Sequence, residues 1–232
     1  MDLPSFEAYL DFLQHAPADS SEWSNFSDVV TTNKTDFFRE KSHFGYLQRA
    51  LHTLDPDPFR PWQSHVWCAG CSSGEEAYTL AMVLNEFGLE RPGFDFSVLA
   101  TDICGSVLEQ ARTAIYDAAR VEPVDLALRR KYLLRSRNPD ADLVRIVPSL
   151  RSRVDFRQLN FMAPDYGHRE AFDAIFYRNV SIYFDRDTQA AVARKLCLSL
   201  RTGGYLFIGH SESLHGFNLP LRMVSAAVYC KE

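Results

Sequence analysis

The chain is poor in the features that mark membrane, secreted or metal-scaffolded proteins. No apolar run approaches the roughly 18 residues that a spanning helix needs, so no membrane insertion is expected. The start, Met1-Asp2-Leu3-Pro4, has no basic stretch leading into a hydrophobic one, and the reading is therefore cytoplasmic. Cysteine is sparse and odd in number, with five residues at 68, 71, 104, 197 and 230 in mostly apolar contexts, where a reduced thiol packs as a small hydrophobe. Cys68 and Cys71 form a C-x-x-C, but a structural zinc needs two further ligands and no second such pair exists. Ser72-Ser73-Gly74 separate the pair from the next helix, unlike a thioredoxin-type site, so no metal is expected. Residues 1–30 contain no Lys or Arg at all, against six acids.

What is present suits a globular enzyme. At 232 residues and 46% hydrophobic content the chain can bury one substantial core. The net charge of -5 hides a basic stretch from Arg112 to Arg157, with eleven Lys and Arg against six acids. That stretch reads as a solvated face or as a surface for an acidic protein partner. It contains no nucleic-acid module, and no nucleic acid is expected as a partner.

Periodicity predicts helices over Ser5–Leu13, from Phe44 to the Asp55-Pro56-Asp57-Pro58 break, and over Glu75–Phe87, Ser106–Ile115, Pro123–Leu134 and Asp185–Leu200, the last capped by Gly203-Gly204. Strands are expected at His65–Ala69, Phe94–Asp102, Ala171–Tyr177, Tyr205–Gly209 and Met223–Cys230. The alternating runs Leu143–Val147 and Val154–Gln158, parted by Pro148-Ser149-Leu150, predict a small antiparallel element. Strands separated by helices argue for an α/β fold with a parallel sheet covered on both faces. The expected division is a helical and cofactor-covering segment over 1–60 and a main domain over 61–232, with the small β-subdomain inserted at about 135–158.

In such folds ligands bind at the carboxyl ends of the strands, where Gly70–Gly74 and Asp102 fall. An acid at Asp102 can accept hydrogen bonds from both hydroxyls of a ribose. Gly70 and Gly74 give G-x-x-x-G rather than G-x-G-x-x-G, and Ser72 stands where a dinucleotide site needs its second glycine. Glu75 and Glu76 would repel a pyrophosphate but attract the ammonium and sulfonium of S-adenosylmethionine. Helix N-terminal charge complementarity explains the pair equally well.

Three segments, Thr31-Thr32-Asn33-Lys34-Thr35-Asp36-Phe37-Phe38-Arg39-Glu40, Ala69 to Glu76, and Tyr177-Arg178-Asn179-Val180-Ser181-Ile182-Tyr183-Phe184, together resemble the CheR family of chemotaxis receptor methyltransferases. Gly209-His210-Ser211-Glu212 is similar to that family's G-H-S-E turn. The resemblance runs from about residue 28 to 230 and implies a Rossmann-like class I S-adenosylmethionine-dependent methyltransferase. It implies cofactor contacts from Asn33, Thr35, Arg39, Gly70, Glu75, Asp102, Asn160, Phe161, Arg178 and Asn179. Tyr183 would lie beside the transferring methyl, with Arg178 as a second positioning group. Without that resemblance Tyr183 reads as core packing. Ala77 stands where the family usually has proline, and Ser181 where it has a larger apolar residue.

The implied reaction esterifies glutamate side chains on the cytoplasmic region of chemoreceptors, with S-adenosylhomocysteine as the other product. Family members begin with a helical domain bearing a basic helix, whereas the residues before Thr31 are acidic, so a shortened N-terminal domain is expected. That departure leaves open a different acceptor, or a cofactor-binding regulator without turnover.

Overall fold

The computed structural model describes residues 4–17, 20–30, 33–53, 62–138 and 140–232. Thr31, Thr32, the Asp55–Pro58 break and the expected boundary at 60/61 lie outside the described residues. Among those described, α1 (Phe6–His15), α2 (Ser21–Val30) and α3 (Ser42–Thr53) precede β1 (Trp62–Ala69). Next come α4 (Glu75–Glu90), β2 (Phe94–Asp102), α5 (Gly105–Thr113), β3 (Ile115–Asp117), α6 (Leu126–Tyr132), β4 (Leu133–Arg135) and β5 (Leu143–Ile146). The short α7 (Pro148–Arg151), β6 (Val154–Gln158), β7 (Phe172–Tyr177), α8 (Arg186–Ser199), β8 (Leu200–Ile208), β9 (Leu221–Ser225) and β10 (Val228–Lys231) complete the order.

The main sheet has the strand order β6-β2-β1-β7-β8-β10-β9. Its strands from β6 to β8 run parallel, and β10 is antiparallel to both of its neighbours. Successive strand residues point to opposite faces, and both faces are buried. Val66, Cys68, Ala174, Phe176 and Phe207 enter one core with α3 and α4, while Trp67, Ala69, Ile175, Tyr177, Leu206 and Ile208 enter a second with α8. Hence β7 is buried along its whole length, as a central strand between two layers must be. Through Phe44, Leu47 and Leu51, α3 belongs to the sheet's own core.

Several expectations need correcting. Val154–Gln158 is no part of a hairpin: it pairs parallel to β2 as the edge strand of the main sheet. The small sheet is instead β3-β5-β4, so the β-subdomain spans 115–146 rather than about 135–158. Gly203 and Gly204 lie inside β8, not at a helix end, and α8 stops at Ser199. Met223–Cys230 is two strands joined by a turn at Ala227, whose φ of 56° is left-handed. α2, Ser21–Val30, is a helix that the periodicity did not predict.

Candidate functional site

Strand order reverses at β1, which has β2 on one side and β7 on the other, so a crevice opens beyond the carboxyl ends of these strands. It holds a cavity of about 450 Å³, the size of a small-molecule site. Its walls include Asn33, Thr35, Arg39, Gly70, Asp102, Asn160, Phe161, Arg178, Asn179 and Tyr183, residues that the sequence disperses over about 150 positions.

The floor is built from strand ends. Gly70, at φ 94°, turns the chain back after β1, and its amide and that of Cys71 donate to the Thr101 carbonyl at 2.8 and 2.9 Å. A Cβ on Gly70 would collide with Val180 Cγ2, so only glycine lets the two loops meet. Asp102 caps this arrangement: Oδ2 accepts from the Ser72 amide at 2.7 Å and Oδ1 from the Cys104 amide at 3.0 Å. Burial pushes its pKa up, opposed by those amides. Asp102 also lines the cavity, and a carboxylate has acceptor capacity beyond these amides.

The strap 33–41 closes one side. Phe37 is buried edge-on against Tyr116, the Phe38 amide donates to Thr79 Oγ1 at 3.2 Å, and Ser72 Oγ donates to the Asn33 carbonyl at 3.0 Å. Arg178, at the end of β7, is the main fastening. Its Nη2 donates to the Arg39 carbonyl at 2.7 Å, its Nε lies 2.9 Å from Glu76 Oε2, and its guanidinium sits over the Phe44 ring. At 5% exposure Arg178 contributes to the wall but is committed to these partners.

The paired glutamates have different fates. Glu75, expected beside the cofactor's amino group, does not reach the cavity wall: it is fully buried, accepts from Ser73 Oγ at 2.7 Å and pairs with Arg120 at 2.5 Å. Glu76 faces the cavity instead. Burial raises the pKa of both, countered at Glu75 first by the Ser73 hydroxyl and then by Arg120, and at Glu76 first by Arg178.

The sequence reading assigned no cofactor contact to Lys34, Ser72, Ile103, Met162, Val180 or Phe184, which also line the cavity. Nor did it give Glu212 a role, although the G-H-S-E resemblance had located it. Tyr183 stands at the rim, 58% exposed, on a short 3-10 turn, Ser181–Tyr183. This exposure removes core packing as the explanation for Tyr183.

Glu40, His43 and His210 bring candidate metal-ligand atoms within 4.8 Å of one another. The Arg178 guanidinium lies 3.3 Å from His43 Nδ1, and a cation there would face it directly. Burial first and Arg178 second push His43 down to about 4, so its ring is neutral at pH 7.

An adenosine-bearing cation fits the cavity's donor set: a carboxylate at a strand end, apolar walls from Ile103, Phe161 and Met162, and a second carboxylate at Glu76. Comparison with known proteins agrees. Residues 33–230 match the family model described as CheR methyltransferase, SAM binding domain. The chain is 38% identical to the chemotaxis protein methyltransferase of Klebsiella aerogenes over 99% of its length and 76% of that protein. The Borreliella burgdorferi protein of the same description is 38% identical over 98% of this chain and 80% of its own. That of Escherichia coli is 37% identical over 99% and 77%. No helix among the described residues is long and apolar enough to cross a membrane.

Proposed function

The chain belongs to the CheR methyltransferase family, and from that premise we propose that it esterifies glutamate side chains of chemoreceptors, working in the cytoplasm. It is an S-adenosylmethionine-dependent methyltransferase of the class I fold. The observation that carries the reading is the convergence of strap, glycine turn, Asp102 and the Arg178–Tyr183 segment on one cavity at the strand switch.

Bound S-adenosylmethionine supplies an electrophilic methyl group on its sulfonium. Asp102 would take the ribose hydroxyls, Asn160 and Phe161 would border the adenine, and Arg39 would meet the methionine carboxylate, with Asn33, Thr35 and Asn179 also in the wall. Glu76, which lines the cavity, would face the cationic end that the family resemblance implies for Glu75, and Glu75 holds the turn from behind. A glutamate acceptor is already ionised at neutral pH, so no general base is required. The protein contributes in-line approach and exclusion of water, effects that together lower a barrier by several kcal/mol. Tyr183, exposed at the rim, orients the incoming carboxylate; Arg178, buried, acts through the strap that it fastens.

Docking falls to the basic stretch. Arg130, Arg135 and Arg137 of the β-subdomain are exposed and, among the described residues, have no ion-pair partner, whereas Arg153 is occupied by Asp95 at 2.5 Å. An acidic receptor segment would be drawn there, with association weakening as salt rises. Reversing Arg135 and Arg137 to glutamate should abolish receptor methylation and spare cofactor affinity.

The direct test is incubation with labelled methyl donor and receptor-bearing membranes. Alkali should release the label as methanol; alkali-stable label would point to another acceptor, and cofactor binding without transfer to a regulator.

A further inference from the structure

Glu212 makes a set of contacts that the reaction described above leaves unused. Oε2 accepts from the Asn179 amide at 2.9 Å and the Gly209 amide at 2.6 Å. Oε1 accepts from the Ser181 amide at 2.8 Å and Ser181 Oγ at 2.7 Å. One carboxylate thus gathers four donors from two loops, those following β7 and β8. Asn179 is left-handed, at φ 59°, and a carboxylate accepting the amides on either side of Val180 offsets that strain. A Cβ on Gly209 would come within 2.5 Å of Asn179 Nδ2 and 2.8 Å of Glu212 Oε2, so glycine is needed for the loops to close. Gln189 holds the same segment from the other side, donating to the Ser181 and Phe184 carbonyls at 2.9 Å each.

The clamped segment carries Asn179, Val180, Tyr183 and Phe184 into the cavity wall, and Val180 abuts Gly70 in the glycine turn. Ser181, which departs from the larger apolar residue usual in the family, supplies a side-chain donor that an apolar residue lacks. We infer that Glu212 is a positioning residue for methyl transfer: it sets the Asn179–Phe184 segment, and with it Tyr183, and in this chain Ser181 reinforces the clamp. The inference rests on the methyl-transfer reading for its kinetic arm only.

Two variants test it in the full chain. In Glu212→Gln the amide NH2 necessarily faces donors on one side. The amides of Asn179 and Ser181 should then exchange with deuterium about 10-fold faster or more, while those of β7 stay as they were. Turnover on receptor should fall about 10- to 100-fold with S-adenosylhomocysteine affinity held within about 3-fold, the signature of lost transition-state positioning. Ser181→Ala, which leaves every backbone amide its partner, should lower turnover by about 2- to 5-fold. If Glu212→Gln folds poorly, the Ser181→Ala turnover carries the test, and wild-type turnover in that variant overturns the inference. Unchanged exchange at Asn179 and Ser181 in Glu212→Gln overturns it too, as does a loss of cofactor affinity as large as the loss of turnover. Should the wild type methylate no receptor, the methyl-transfer reading fails, and the exchange arm still decides whether Glu212 sets the loop.

Discussion

The floor of the cavity and the strap over it are held by different means. The floor is backbone geometry: amides of Gly70 and Cys71 on Thr101, and of Ser72 and Cys104 on Asp102, all at the ends of strands fixed by the sheet. The strap has no ladder. Side chains from elsewhere fasten it, Arg178 on the Arg39 carbonyl, Thr79 on the Phe38 amide, Ser72 on the Asn33 carbonyl and Arg120 on the Thr35 carbonyl at 3.2 Å. Two of its residues, Phe38 and Glu40, are left-handed at φ 54°, a cost that these ties offset. A floor made of backbone tolerates side-chain change except at its acid and at Gly70, whereas a strap tied by side chains fails when one distant residue is lost.

The contrast is broken most severely at Arg178. Arg178→Met removes the partner of buried Glu76 and frees the Arg39 carbonyl, and should cost about 3–5 kcal/mol of stability, read by urea unfolding. Asp102→Ala attacks the floor and should weaken S-adenosylhomocysteine binding by about 1.5–3 kcal/mol in calorimetry, through lost charge-assisted hydrogen bonds. Within the strap, Arg39→Ala should cost roughly 1 kcal/mol of affinity and Lys34→Ala less; the reverse ranking would mean that the strap meets the carboxylate with Lys34. The smallest effect is on pH. Burial raises the pKa of Asp102, so cofactor affinity should fall on acidification at a pH above the ordinary carboxylate value of about 3.9. Stability responds with the opposite sign, because a carboxyl raised in the folded state favours folding more as it protonates, and this contribution is lost as pH rises through that pKa.

The floor was the more legible half. Asp102 and Gly70 could be found because a buried strand ends in a glycine turn or an acid, and those signals are local. The edge of the sheet was misread for a physical reason: Val154 and Phe156 alternate with polar residues as any half-exposed strand does, and alternation says nothing about which neighbour the strand joins. The three-residue β3 was too short to leave a period, and its absence displaced the β-subdomain. That Glu76 lines the cavity while Glu75 turns away from it was beyond sequence, since Arg120 and Arg178 engage the two from far along the chain. Membership of one family located Tyr183 and Glu212 without revealing that one stands exposed at the rim and the other clamps the loop behind it.

The most direct test is a crystal structure with S-adenosylhomocysteine bound. The ribose should lie against Asp102, and the carboxylate end should face Arg39 beneath the strap. A ligand bound outside the crevice between the ends of β1 and β7, or one that leaves both residues without contact, would contradict the assignment of this cavity.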